Sequence, residues 1–260
     1  MYARLVLELL SQEPGIQVVR VVLRTPWTLN RVRGELRRDG PRLLRKAHRK
    51  LVLGDAAYSQ SEVTETIVNL ADSVGLQGGS LVDLARLRGV KCTTVKDHND
   101  DQSLVELRSD NPDVIAFTGG GLIRKPLLSI PRTGILNCHM GLLPVYRGMD
   151  VVEWPFVEAN DLTAVPVGIT VHFMDSGLDT GPILFRRQIE YRDVLTFRGL
   201  RDRFEPHMVR SMVEAICRIR DGKYELEHQR PMDGRQYFVM HPRILTFAEH
   251  RLRQASLQKT

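Results

Sequence analysis

A chain of 260 residues, 42% hydrophobic and 26% charged, has the size of one α/β domain of moderate length plus an appendage and the composition of an ordinary soluble globular protein. No apolar run approaches the roughly 20 residues that cross a bilayer. Met1–Leu10 carries Arg4 and Glu8 and lacks the basic start and cleavage site of a secretory signal, so the sequence argues against a membrane protein or a secreted one. The three cysteines, Cys92, Cys138 and Cys217, are widely separated and odd in number; they outline neither a disulfide framework nor a metal cluster, and they imply a cytoplasmic location.

The first expected element is a helix over 3–11, where Leu5, Leu9 and Leu10 share a face. Pro14-Gly15 ends it, and Ile16–Leu23 reads as a strand buried on both faces. Residues 24–50 follow with ten lysines and arginines against two acids, about +8, so the rest of the chain carries about −2 of the net +6. This stretch is expected to be helical. A basic segment can meet phosphates, nucleic acid or an anionic membrane, but no aromatic ladder is interleaved with the charges, and a solvated helical face is the plainer account. Helices are expected over 59–74, 80–88 and 102–108, and strands over 90–95, 113–118 and 134–138, with a polar loop at 97–101 and a glycine loop at Gly119, Gly120 and Gly121. Later strands are expected over 168–174 and 182–190, a long amphipathic helix over 196–220, and two short strands and a basic final helix in the tail. Strands alternating with helices predict a Rossmann-like, mostly parallel sheet with helices on both faces and ligand chemistry at the strands' C-terminal ends. Residues 1–222 would form this domain and 223–260 a C-terminal extension.

Three stretches carry the chemistry: GGGLI at 119–123, NCHMGLLPVYRG at 137–148 and GITVHFMDSGLDTGPIL at 168–184. Asn137 and His139 stand two residues apart at the end of a buried strand, so an amide and an imidazole project to one side. An amide N–H can stabilise charge on a carbonyl oxygen, and a histidine can move protons near neutral pH. Asp179, between Gly177 and Gly181, adds a carboxylate that would favour a protonated ring and fix its orientation. Asp175 competes for that role, but Ser176 beside it suits a simple turn. Cys138 points to the opposite face, into the core. His172 reads as a hydrogen-bonded structural histidine, and His98 as a surface residue. The triple glycine lacks the spacing of a dinucleotide fingerprint.

Together these motifs resemble the 10-formyltetrahydrofolate-dependent formyltransferases, the family of the glycinamide ribonucleotide, methionyl-tRNA and amino-sugar enzymes. The resemblance is good over roughly 80–190 and looser outside. It implies that Asn137, His139 and Asp179 form the catalytic trio. It also implies that 10-formyltetrahydrofolate is the co-substrate, lodged against Gly121, Leu122, Ile123, Met174, Asp175, Gly177 and Leu178. The reaction expected is direct transfer of the formyl group to a primary amine, with no metal. A hydrolase that releases formate from the same carrier and a non-catalytic folate-binding protein are the alternatives. The tail is too short for the barrel domain of the methionyl-tRNA enzymes and longer than in most glycinamide ribonucleotide enzymes, which points to a small-molecule acceptor such as an amino sugar nucleotide. Family members usually open with a strand and a glycine-containing loop ahead of the helix that Tyr2–Leu10 resembles, and this sequence has no counterpart. A missing central strand would leave a gap of nearly 10 Å between its neighbours, because paired strands lie about 4.8 Å apart. Either the chain is a shorter version of a longer product, or another segment fills the slot, or the first ten residues are themselves strand.

Overall fold

The computed structural model describes residues 1–25 and 61–257. The helix expected in the basic stretch lies, from residue 26 to residue 50, outside the described residues; Arg24 ends a strand. The chain starts with helix α1, Tyr2–Gln12, whose Leu5, Val6 and Leu10 are buried in the main core. The first ten residues are therefore not strand. Strand β1 is Arg20–Arg24, shorter than the apolar run that suggested it and only half-buried throughout. The expectation of a strand covered on both faces fails here for a topological reason described below.

Helices α2 (Ile67–Ser73) and α3 (Leu81–Leu87) are each set by a side-chain cap. Thr66 accepts from the Asn69 amide, and Ser80 and Asp83 form a reciprocal capping box, so two otherwise unpaired amide groups at α3 are satisfied. Strand β2 is Lys91–Val95, helix α4 Asp101–Asp110, strand β3 Val114–Phe117, helix α5 Lys125–Leu128 and strand β4 Gly134–His139. Then come β5 (Tyr146–Gly148), α6 (Trp154–Glu158), β6 (Gly168–Phe173), β7 (Ile183–Gln188), α7 (Phe197–Arg220), β8 (Arg235–Tyr237) and α8 (Pro242–Leu257). The tail thus holds one regular strand, plus a bridge between Glu227 and Ile183, before its helix.

The fold is mixed α/β. Strands β1 and β2 pair in parallel as one ribbon, and β3-β4-β6-β7 form a second sheet in that order. Strand β3 runs parallel to β4, whereas β6 is antiparallel to both β4 and β7. The parallel character therefore stops at β4. Strand β6 is buried at all six positions, and its apolar side chains meet those of α7, whose Leu200, Phe204 and Met212 are essentially inaccessible. Each such side chain contributes on the order of 1.5–3 kcal/mol to stability.

Among the described strands, β1 pairs only with β2 and β3 only with β4. Between their facing margins lies a cavity of about 970 Å³, lined by Val18–Arg24 on one side, Val114–Thr118 on the other, and Val6, Leu7 and Leu10 of α1. With one margin on this cavity rather than on another strand, β1 is half-exposed.

Candidate active site

Strand β4 carries Asn137 and His139 on one side and turns Cys138 into the main core, where burial pushes the thiol far above its ordinary pKa. Its C-terminal half is held on both flanks. Phe117 of β3 is in register with Asn137, as is His172 of β6, while Thr170 lies opposite His139. The extended backbone of β4 is thus locked at the residues whose direction matters.

The protonation pattern follows from the partners. His139 Nε2 lies 2.8 Å from the Tyr146 carbonyl oxygen. A carbonyl can only accept, so Nε2 carries the hydrogen and Nδ1 is the nitrogen turned to Asp179, 3.6 Å from its Oδ2. That separation is longer than a hydrogen bond, which leaves the Nδ1 direction usable by a reacting atom. His172 Nδ1 donates to the Phe173 carbonyl over 2.9 Å, so Nε2 is an acceptor, and Asn137 Nδ2 donates to it over 3.2 Å. The Asn137 amide is fixed in this way, with its second N–H unspent among the described residues. Burial, and after it the neighbouring His139, pushes the His172 ring down to about 4, so it is neutral at physiological pH. The side chain expected to be structural orients the amide expected to be catalytic.

The His172 shift has a consequence for stability. The unfolded chain takes up this proton near pH 6.5, the folded chain only near pH 4, so stability falls as pH drops between those values, by up to about 1.4 kcal/mol per pH unit. Urea midpoints between pH 7 and 5 should fall more steeply for the wild type than for His172→Gln. Equal slopes would show that the ring titrates normally in the fold.

Asp179 sits at φ 54°, in the left-handed region that costs most residues free energy and that aspartate tolerates better than most. In that conformation its Oδ2 accepts from the Gly148 amide over 2.9 Å, and its Oδ1 is 3.8 Å from His172 Nε2. The amide, the imidazole and the carboxylate thus meet at one place, although Asp179 is forty residues from His139. Asp175 is occupied otherwise: its Oδ1 accepts from the Gly177 amide and the Thr180 hydroxyl, closing the turn that presents Asp179.

The residues expected to line a folate pocket lie on the loops after β3 and β6, the two strands flanking β4. Ile123 and Met174 pack against one cluster with Ile135 and Phe117, whereas Leu122 and Leu178 present apolar surface outward, Leu122 at 74% exposure. Gly121, at φ 120°, lies against the Arg24 guanidinium, where a Cβ would collide. Asn99 pins this loop by donating to the Leu122 carbonyl and accepting from the Arg124 amide. His98 is half-buried, edge-on to Phe117. Among the described residues no group of three or more His, Cys, Asp or Glu is arranged to hold a metal ion, and no helix is long and apolar enough to cross a membrane.

Residues 52–216 match the family model described as formyl transferase, well over half of the chain, and the protein belongs to that family. A methionyl-tRNA formyltransferase of Thermodesulfovibrio yellowstonii is 30% identical over 148 residues, 56% of this chain and 47% of that protein. The chain spans about half the length of the curated relatives it matches. Among solved structures, the formyltransferase PseJ of Anoxybacillus kamchatkensis, in complex with UDP-4,6-dideoxy-4-formamido-L-AltNAc and tetrahydrofolate, is 26% identical with a TM-score of 0.45, covering 62% of this chain and 83% of that one. Glycinamide ribonucleotide transformylase 1 of Symbiobacterium toebii is also 26% identical, with a TM-score of 0.48, covering 57% and 72%.

Proposed function

We propose that the protein transfers a formyl group from 10-formyltetrahydrofolate to the primary amine of a small-molecule acceptor, an amino sugar nucleotide or a similar compound. The observation that supports this most is the convergence of Asn137, His139 and Asp179, with His139 Nδ1 3.6 Å from the carboxylate. The apolar ledge of Ile123 and Met174, with Leu122 and Leu178 facing outward, fits a flat heterocycle beside that trio.

In the proposed reaction the uncharged amine nitrogen attacks the formyl carbon, and the carbonyl electron pair moves onto oxygen. The unspent Asn137 N–H and the protonated His139 ring stabilise that oxyanion. Asp179 balances the charge of the ring and accepts the amine's proton through a water. Collapse re-forms the carbonyl and expels the folate nitrogen, which takes a proton. His172, neutral, holds the Asn137 amide in place throughout.

The test is incubation with 10-formyltetrahydrofolate and a panel of amines, following tetrahydrofolate release. Release that depends on an amine is the expected result. Release without any amine would select a hydrolase, and absence of folate binding would remove both readings.

A further inference from the structure

The proposed reaction needs Asp179 held in an unfavourable backbone conformation, and the part of the chain that holds it lies outside the matched family segment. Gln229, half-buried in the extension, places Nε2 3.1 Å from the Asp179 carbonyl oxygen and 2.6 Å from that of Gly181. Both partners can only accept, so the amide nitrogen must face them and Oε1 must face away. Oε1 is in turn gripped by Arg147, whose Nε and Nη2 donate to it over 3.3 and 3.1 Å. Arg147 is itself buried at 5% exposure and also donates to the Arg230 carbonyl. Its neighbour Gly148 supplies the amide that holds the Asp179 carboxylate. One side chain therefore ties the backbone of Asp179 to the residue adjoining the group that holds its carboxylate.

The extension is anchored on both sides of this contact. Upstream, Glu227 exchanges two backbone hydrogen bonds of 2.9 Å with Ile183 and ion-pairs with Arg186 of β7. Downstream, β8 pairs in parallel with β5, and Tyr237 stacks between Tyr146 and Trp154 at 5.5 and 5.1 Å. Gln229 is thus delivered by a segment with little freedom to relocate.

We propose that Gln229 is a positioning residue for Asp179: it fixes the left-handed backbone at that position so that the carboxylate faces His139. The inference rests on the proposed formyl transfer. A misplacement of about 1 Å can cost on the order of 10²-fold in rate. With the favoured amine, Gln229→Met is expected to lower kcat about 10- to 100-fold and to change the folate KM by less than about twofold. Gln229→Glu keeps an acceptor for Arg147 but loses the donor to the two carbonyls, and should show a similar loss; it serves as the second variant if the methionine form folds poorly. In an Asp179→Asn background the Gln229→Met change should cost little more, because both act on one group. Independently of turnover, amide exchange at Gly148 should quicken at least about tenfold in Gln229→Met while exchange at Thr170 is unchanged. Wild-type kcat in Gln229→Glu, fully multiplicative losses in the double variant, or unchanged Gly148 exchange would overturn the assignment. If the wild-type protein transfers no formyl group to any amine, the functional reading fails, and the exchange measurement still decides whether Gln229 holds the loop.

Discussion

His139→Ala should lose at least about 10²–10³ in kcat while the protein remains folded. The ring is the only side chain of the trio that can carry a positive charge beside the developing oxyanion, and removal of one such donor costs about 2.7–4 kcal/mol of transition-state stabilisation. The substitution also has a structural effect. It leaves the Tyr146 carbonyl without the partner it has at 2.8 Å, at about 1–3 kcal/mol. That is small against the packing of β4, whose Leu136 and Cys138 remain in the core and whose flanks are paired to β3 and β6. His139→Gln keeps a donor near that carbonyl and separates the two effects: it should recover stability without recovering rate. Steady-state kinetics with thermal denaturation of both variants checks this, and wild-type turnover in either would end the proposed role.

Asp179→Asn should lose about 10²–10³ in kcat with little change in stability. Asparagine tolerates the left-handed backbone nearly as well, and its amide oxygen can still accept from Gly148, so the loop should keep its shape. What disappears is the negative charge 3.6 Å from the imidazole and the base that takes the amine's proton. A rate loss accompanied by a large fall in melting temperature would instead place Asp179 among the residues that merely shape the loop.

Much of this site could be read from sequence because its chemistry is local. Asn137 and His139 are two apart on one strand, so their common direction follows from strand geometry alone. Asp179 could be named from its glycine-bounded loop, but its distance from His139 depends on how a turn folds back, and that rests on Asp175 closing the turn through Gly177 and Thr180. The role of His172 was out of reach: it depends on the antiparallel register that sets the residue opposite Asn137, and nothing local in either strand states that register. Gln229 gave no signal at all, being one polar residue in a polar tail whose value lies in two distant carbonyls. The reading of Ile16–Leu23 failed in the opposite way. Its β-branched run was read as a strand covered on both faces, yet among the described residues only Arg20–Arg24 pairs, and one margin of that strand lines a cavity.

The loop after β3 is held by more than its own strand. The β1–β2 ribbon reaches it as well: Asn99, in the loop that leaves β2, fastens the glycine loop at Leu122 and Arg124, and Arg24 at the end of β1 lies under Gly121. The rim that would face the folate is therefore secured twice: by β3, in the sheet that also carries the amide and the imidazole, and by the β1–β2 ribbon. The spacing between rim and reactive groups is set by the β3–β4 backbone ladder, and the ribbon's contacts limit how far the rim can swing from it.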